Sequence, residues 1–169
     1  MKNFSRLSLL AAVVATLSTL SVSAIAATAT GQASATVLTP ITISPVTPLN
    51  FGTLAGNASG GTVNLTAAGL RTTSGTVVVT PAAFSVASFK VDGTGGQTFA
   101  VSYPPATPSL TVTNGTVTMA FTVVGQTSGT LSAGAAGTLT FPVGGTLTVG
   151  ASQAAGTYTG TYPMTVEYN

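Results

Sequence analysis

Residues 109–123, SLTVTNGTVTMAFTV, carry the clearest structural signal in the chain. Apolar and polar residues alternate on both sides of Asn114-Gly115, and Asn-Gly is the favoured pair for a two-residue type I′ turn. Pairing about this turn sets Leu110 against Met119, with the apolar side chains on one face and threonine on the other. The sequence therefore predicts a β-hairpin at this position.

The same period of two continues through most of the chain, whereas a helical period is almost absent. The further candidate strands are 62–66, 75–80, 84–91, 98–103, and the alternating residues before and after Gly144-Gly145. We expect 84–91 and 98–103 to pair as a hairpin around residues 92–97. Several short strands with frequent turn residues are typical of an all-β sandwich or barrel.

The N-terminus has the three parts of a secretory signal peptide: a basic start, an apolar run over 7–17, and Ala24-Ile25-Ala26 as the cleavage motif. We predict cleavage between Ala26 and Ala27, with Ala24 as the second choice. A membrane anchor is the alternative, but the apolar run is shorter than the roughly 20 residues that a spanning helix needs. We expect export through the inner membrane, transit through the periplasm, and a final place at the cell surface or outside the cell.

This reading divides the chain into three parts. Residues 1–26 are a cleaved signal peptide, 27–39 an N-terminal extension, and 40–169 a β-sandwich domain. A domain of that length can bury a substantial core.

Charge is nearly absent from the predicted mature chain. The full sequence has four basic and two acidic side chains. Two of the basic ones leave with the signal peptide, so that Arg71 and Lys90 remain against Asp92 and Glu167. No basic patch remains for nucleic acid or for anionic lipid. A neutral surface suits a molecule that packs against copies of itself.

The residues that catalysis usually needs are missing. The chain has no histidine and no cysteine, so no side chain stands ready to activate a serine or threonine. Asp92 lies in a glycine-rich turn and Glu167 on the outward face of the last strand, and neither has an evident partner. We expect no enzyme activity, no metal site and no small-molecule cofactor.

Apolar and polar residues alternate at both ends of the predicted mature chain. An exposed strand edge is an aggregation hazard unless a strand from another subunit covers it, as in the donor-strand complementation of pili. We therefore predict a donor strand within 27–37, and an acceptor groove beside the C-terminal segment. The inward donor residues are Ala29, Gly31, Ala33, Ala35 and Val37. The groove residues are Tyr158, Tyr162, Met164, Val166 and Tyr168. Two simpler interpretations remain open: 27–37 pairs within its own chain, and the tyrosines are core residues or a sugar-stacking face.

Three segments resemble a bacterial secreted family known only as a domain of unknown function (number forty-four-zero-two). They are Leu49–Thr53, Val143–Val149, and Ala155–Tyr162 continuing to Val166–Asn169. The closing Gly-Thr-Tyr-Thr also resembles the last strand of archaic chaperone–usher pilins and of spore-coat-U-like domains. Those relatives often carry a disulfide, and this chain has no cysteine.

The resemblance implies an immunoglobulin-like antiparallel β-sandwich that is built into surface fibres, with a periplasmic chaperone and an outer-membrane usher as partners. Together with the alternating termini, it predicts a pilus-like structural subunit that polymerises with copies of itself by strand donation. The alternative is a self-contained secreted sandwich that binds a host or matrix glycan or the cell surface.

Overall fold

The computed structural model describes residues 26–103, the backbone of 109–112, and 115–169. The predicted signal peptide, with any helix in it, lies outside the described residues except for Ala26. The chain divides into two compact units, Met1–Ala35 and Thr36–Asn169. In the first unit, residues 26–35 are exposed and carry no strand. No helix in the described part of the chain is long and apolar enough to cross a membrane.

The second unit consists of strands joined by turns, as its threonine- and valine-rich sequence favours. The strands, in chain order, are β1 (Thr42–Thr47), β2 (Leu54–Ala55), β3 (Gly61–Leu65), β4 (Arg71–Gly75), β5 (Val78–Val79), β6 (Ala87–Gly93), β7 (Thr98–Ser102), β8 (Ser109–Val112), β9 (Thr118–Gly125), β10 (Ser128–Thr130), β11 (Gly137–Val149), β12 (Tyr158–Thr159) and β13 (Thr165–Tyr168).

The strands form one large sheet and two small ones. The large sheet has the order β1-β6-β11-β9-β8-β12, and β3 and β4 join it through β11. The second sheet has the order β10-β7-β13, and the third contains β2 and β5. Every described pair is antiparallel. The predicted all-β antiparallel sandwich is confirmed.

Strand β11 is the centre of the large sheet. Its first half pairs with β6, its second half pairs with β3 along the same edge, and its middle pairs with β9. The change of partner falls at Gly144 and Gly145, where an added Cβ would collide with neighbouring backbone atoms. The two glycines thus allow a close approach of strands that a side chain would prevent.

Two apolar cores lie along β11. The Phe141 core comprises Ala87, Val91, Phe99, Val101, Leu131, Phe141 and Val143, and strands of the second sheet cover it. The Phe121 core comprises Phe51, Val63, Leu65, Val77, Met119, Phe121, Leu147 and Val149. Leu54 and Val79 from the short β2–β5 pair pack on this second core. The Phe121 core therefore has much less β-structure over it than the Phe141 core.

The hairpin predicted from residues 109–123 is confirmed where the chain is described. Leu110 pairs with Met119 in the ladder between β8 and β9, which is the register that a turn at Asn114-Gly115 sets. Met119 and Phe121 are buried, as the inward face requires. Asn114 itself lies outside the described residues.

The predicted hairpin between 84–91 and 98–103 is wrong. Strand β6 pairs with β1 and β11, while β7 pairs with β10 and β13 in the other sheet. Both edges of β6 are occupied by matched apolar partners, such as Phe141 beside Phe89. The chain therefore crosses between sheets, and Gly96 with its positive φ of 75° makes this connection possible.

At both termini the structure has less strand than the alternating sequence suggests. In this single chain β1 begins at Thr42, and residues 26–41 carry no strand. The C-terminal segment alternates as predicted, with the even-numbered side chains from Tyr162 to Tyr168 partly buried and the odd ones exposed. It is nevertheless broken into β12 and β13, because Pro163 in the gap cannot donate a ladder hydrogen bond.

Candidate functional site

An open cavity of about 820 Å³ lies over the Phe121 core. Its floor is formed by Met119, Phe121 and Leu147, three buried side chains from adjacent strands β9 and β11. Phe121 meets Phe51 edge-on at a centroid distance of 6.3 Å and Tyr162 at 5.7 Å. Aromatic packing of this kind keeps the floor rigid, and the floor is apolar.

The first wall of the cavity is residues 49–56, the segment that leads from β1 into β2. Arg71 holds this wall in place. Its guanidinium donates to the carbonyl oxygen of Phe51 at 3.0 Å and to that of Thr80 at 2.6 Å. It also lies 4.3 Å from the centroid of the Phe84 ring. One cation therefore links the wall to the chain that follows β5.

Gly52 completes this arrangement. Its φ is +81°, and an added Cβ would collide with the guanidinium of Arg71. Since Gly tolerates positive φ without steric cost and leaves room for the cation, this position favours glycine twice over. The Asn50 side chain supports the same turn by accepting a hydrogen bond from the Gly52 N–H at 2.9 Å.

The second wall is residues 153–160, which lead into and through β12. A polar network holds it. The Gln153 amide donates to the Tyr158 hydroxyl at 2.8 Å, and that hydroxyl donates to the carbonyl of Ala154 at 2.7 Å. The Gln153 side-chain oxygen accepts from the Gly150 N–H at 3.1 Å. Each wall is thus fixed by side-chain hydrogen bonds to backbone rather than by a long ladder.

Beyond the second wall, residues 160–164 belong to no ladder. Tyr162 lies in this stretch and lines the cavity. Its ring packs edge-on against Phe89 at 6.0 Å as well as against Phe121. Burial, with a smaller contribution from Tyr103, raises the pKa of Tyr162 to about 12. The hydroxyl stays neutral at any physiological pH, so this part of the site is uncharged.

Lys90 and Asp92 pair with each other and do not line the cavity. Asp92 does not lie in a turn without a partner, as we expected, but within β6, where Lys90 approaches its carboxylate at 2.9 Å. The two side chains lie two residues apart on one strand and hence on one face. The hydrogen bond from Lys90 lowers the pKa of Asp92 below its ordinary value. Within the described residues, no group of three or more potential metal-ligating side chains gathers.

The predicted groove residues divide between the two cores. Tyr158 and Tyr162 pack on the Phe121 core and line the cavity. The other three, Met164, Val166 and Tyr168, pack on the Phe141 core, next to or within β13. The structure thus brings the first two to the cavity and places the rest in a covered part of the sandwich.

The predicted donor residues lie in exposed chain. They are Ala29, Gly31, Ala33, Ala35 and Val37. Val37 is 93% exposed, the largest value among the exposed large apolar side chains. Of the predicted cleavage residues, Ala24 lies outside the described residues, while Ala26 and Ala27 are exposed.

Sequence reasoning missed most of the cavity. The sequence places Met119 and Phe121 on the apolar face of the predicted hairpin, and nothing in the local pattern marks them, or Leu147, as accessible from one side. Arg71 was counted only for its charge. The Leu49–Thr53 motif was the one signal for the first wall, and it was noticed only as a resemblance.

A family model described as Domain of unknown function (DUF4402) matches residues 41–168. This range covers all of the strands. No significant match was found among curated proteins or among solved structures.

Proposed function

The chain belongs to the DUF4402 family, and we propose that it is a structural subunit of a bacterial surface fibre, in which the 27–37 segment of one copy occupies the cavity of the next. The cavity over the Phe121 core carries this proposal. It is open and apolar at its floor, it is bounded by two braced walls, and it adjoins a stretch of chain at 160–164 that has no ladder partner.

The chemistry of the segment matches that of the cavity. Residues 27–37 contain no charged side chain, so the burial of their side chains carries no penalty for desolvating an ion. The segment alternates small apolar residues with threonine, serine and glutamine. An extended strand would therefore turn its apolar face to the floor and its polar face to solvent. A second copy of this chain is thus a fitting occupant.

The affinity of such a strand comes mainly from its backbone. An alanine methyl contributes about 0.8 kcal/mol when fully buried, and each net backbone hydrogen bond contributes about 0.5–1.5 kcal/mol. A ladder of several bonds therefore outweighs the inward alanines. Val37 is the largest inward side chain of the segment and provides its main apolar anchor.

Assembly can be tested with the chain that begins at Ala27 and a matched pair of charge substitutions. Ala33→Asp places a carboxylate on the inward face of the donor, whereas Ser34→Asp places the same charge on the outward face. We expect polymers, seen as ladders on unheated gels and as filaments by electron microscopy, for the unmodified chain and for Ser34→Asp. We expect monomer for Ala33→Asp.

The two substitutions have the same charge and adjacent positions, so solubility changes alone cannot separate them. A stable monomer in all three forms would overturn the proposal. Equal polymerisation of all three would show that assembly does not use this strand face. Glycan binding by a stable monomer would favour the alternative of a self-contained binding module.

A further inference from the structure

Three residues from distant parts of the chain meet where the domain begins. The Tyr168 hydroxyl donates to the carbonyl oxygen of Thr39 at 2.8 Å and accepts from the N–H of Thr94 at 2.7 Å. The N–H of Thr39 in turn donates to the Thr94 hydroxyl at 2.7 Å. Both backbone polar groups of Thr39 are therefore held. We name this arrangement the Thr39 clamp.

Gly93 makes room for the clamp. An added Cβ at Gly93 would collide with the Tyr168 hydroxyl and press on Leu131. The ring of Tyr168 packs on the Phe141 core, and a phenylalanine would serve that packing equally well. The hydroxyl is thus needed for the clamp and not for the core.

The clamp lies at the end of the sandwich away from the cavity. Close to Thr39, Thr42 pairs with Asp92, which pairs with Thr138 of β11. The cavity floor is reached at Leu147 of the same strand. At about 3.3 Å per residue, these two levels of β11 are roughly 30 Å apart.

The direction of β1 also places the chain that precedes it at the end of the sandwich far from the cavity. Strand β1 begins at Thr42, opposite Asp92, and ends at Thr47, opposite Ser88. It therefore runs in the direction that leads along β11 towards the cavity. The chain before Thr42 therefore enters from the opposite end. Pro40 disfavours a helical turn at Thr39 and keeps that residue extended. A reversal at this point would also break the hydrogen bonds of the clamp.

We infer that Tyr168 is a positioning residue for assembly: its hydroxyl holds Thr39 so that the N-terminal segment starts at the end of the domain far from that domain's own cavity and is offered to a second copy. This inference rests on the proposed function and adds to it. The donor is directed between chains rather than back into its own chain, which gives a head-to-tail, open-ended polymer.

The test compares Tyr168→Phe with Tyr103→Phe, each in the chain that begins at Ala27. Tyr103 is a matched control, because its hydroxyl donates a hydrogen bond to the carbonyl of Gln126 at 2.7 Å and takes no part in the hydrogen bonds of the clamp. We expect Tyr168→Phe to slow polymerisation by about tenfold, the effect of losing one to two hydrogen bonds. We expect Tyr103→Phe to polymerise at the unmodified rate.

A second measurement separates the clamp from the cavity. A fluorescent peptide of residues 27–37 is titrated into chains whose own donor is disabled by Ala33→Asp, with and without Tyr168→Phe. We expect equal affinity in both, because the clamp does not line the cavity. Gly93→Ala, which displaces the hydroxyl without removing it, should slow polymerisation in the same way as Tyr168→Phe.

The possible outcomes distinguish a failure of the clamp's role from a failure of the proposed function. If the peptide binds but Tyr168→Phe and Tyr103→Phe polymerise at equal rates, the clamp has no role in assembly and the proposed function stands. Weaker peptide binding to the Tyr168→Phe chain would also overturn the role of the clamp, since the residue would then act on the cavity. Failure of the peptide to bind any chain would refute the proposed function, and the clamp's role in assembly with it.

Discussion

Arg71 is the side chain whose removal should best reveal how the cavity wall is held. The guanidinium makes two hydrogen bonds to carbonyl oxygens, of Phe51 and Thr80, and lies over the Phe84 ring. A hydrogen bond that involves a charged group contributes about 1.5–3 kcal/mol when buried. These bonds are only partly buried, so the lower end applies, and the aromatic contact adds about 0.5–1 kcal/mol.

With about 1.5 kcal/mol for each of the two bonds and about 0.5–1 kcal/mol for the ring contact, we expect Arg71→Ala to lower the free energy of unfolding by about 3.5–4 kcal/mol. Arg71→Lys should cost about half as much, because a single ammonium group cannot span two carbonyl oxygens as a planar guanidinium does. The assay is urea unfolding followed by circular dichroism, since the chain has no tryptophan. Monomer must be used, so that polymerisation does not contribute to the measured stability.

Lys90→Ala is the control for this experiment, since it also removes a cation from a chain with few charges. Lys90 pairs with Asp92 on the surface, where both side chains are more than 40% exposed, and such pairs contribute little. We expect no measurable change in stability. If Arg71→Ala is as harmless as Lys90→Ala, then Arg71 does not brace the wall and the reasoning is wrong.

Three further predictions concern the two cores and β11. Burial raises the pKa of Tyr162 from 10.0 to about 12, so its contribution to stability should be complete below pH 10 and be lost as the pH rises toward 12; alkaline unfolding of Tyr162→Phe should lack this component. Gly144→Ala forces a Cβ against the carbonyl of Leu65 and should destabilise the fold by about 1–3 kcal/mol in urea. Phe99→Ala empties a fully buried site and should cost about 3–5 kcal/mol in the same assay.

The parts of the fold that follow from local chemistry were predictable. The Asn114-Gly115 pair predicts a turn, and with it the register of Leu110 against Met119, from backbone preferences that need no knowledge of the rest of the chain. Period-two alternation likewise predicts which side chains of the C-terminal segment, from Tyr158 to Tyr168, point inward. Both features follow from neighbouring residues alone.

The choice of strand partner was not predictable in the same way. Strands β6 and β7 follow each other closely, and a hairpin is the usual outcome for such neighbours. What decides the matter is that β1 and β11 occupy both edges of β6. Alternation indicates which face of a strand is buried, but it does not indicate which sheet the strand joins.

The cavity was less predictable still, since its parts are remote in sequence. One wall is residues 49–56 and the other is residues 153–160. From the sequence, Arg71 enters only the charge balance, and only the folded chain shows that its guanidinium bonds to backbone carbonyls before β2 and after β5. The composition shows that charged side chains are rare, but it does not show which backbone groups such a side chain binds.

The proposed strand exchange would place the small side chains of the 27–37 segment against a floor that large side chains already fill. Phe121 packs edge-on against both Phe51 and Tyr162 at the cavity floor and its margin. An incoming strand with large inward residues would have to displace this aromatic cluster, and overpacking of that kind is costly. Under the proposal, alanine and glycine would let the backbone of the strand come close enough for its hydrogen bonds to supply most of the binding energy. The low apolar content of the segment is therefore compatible with a floor that is already packed.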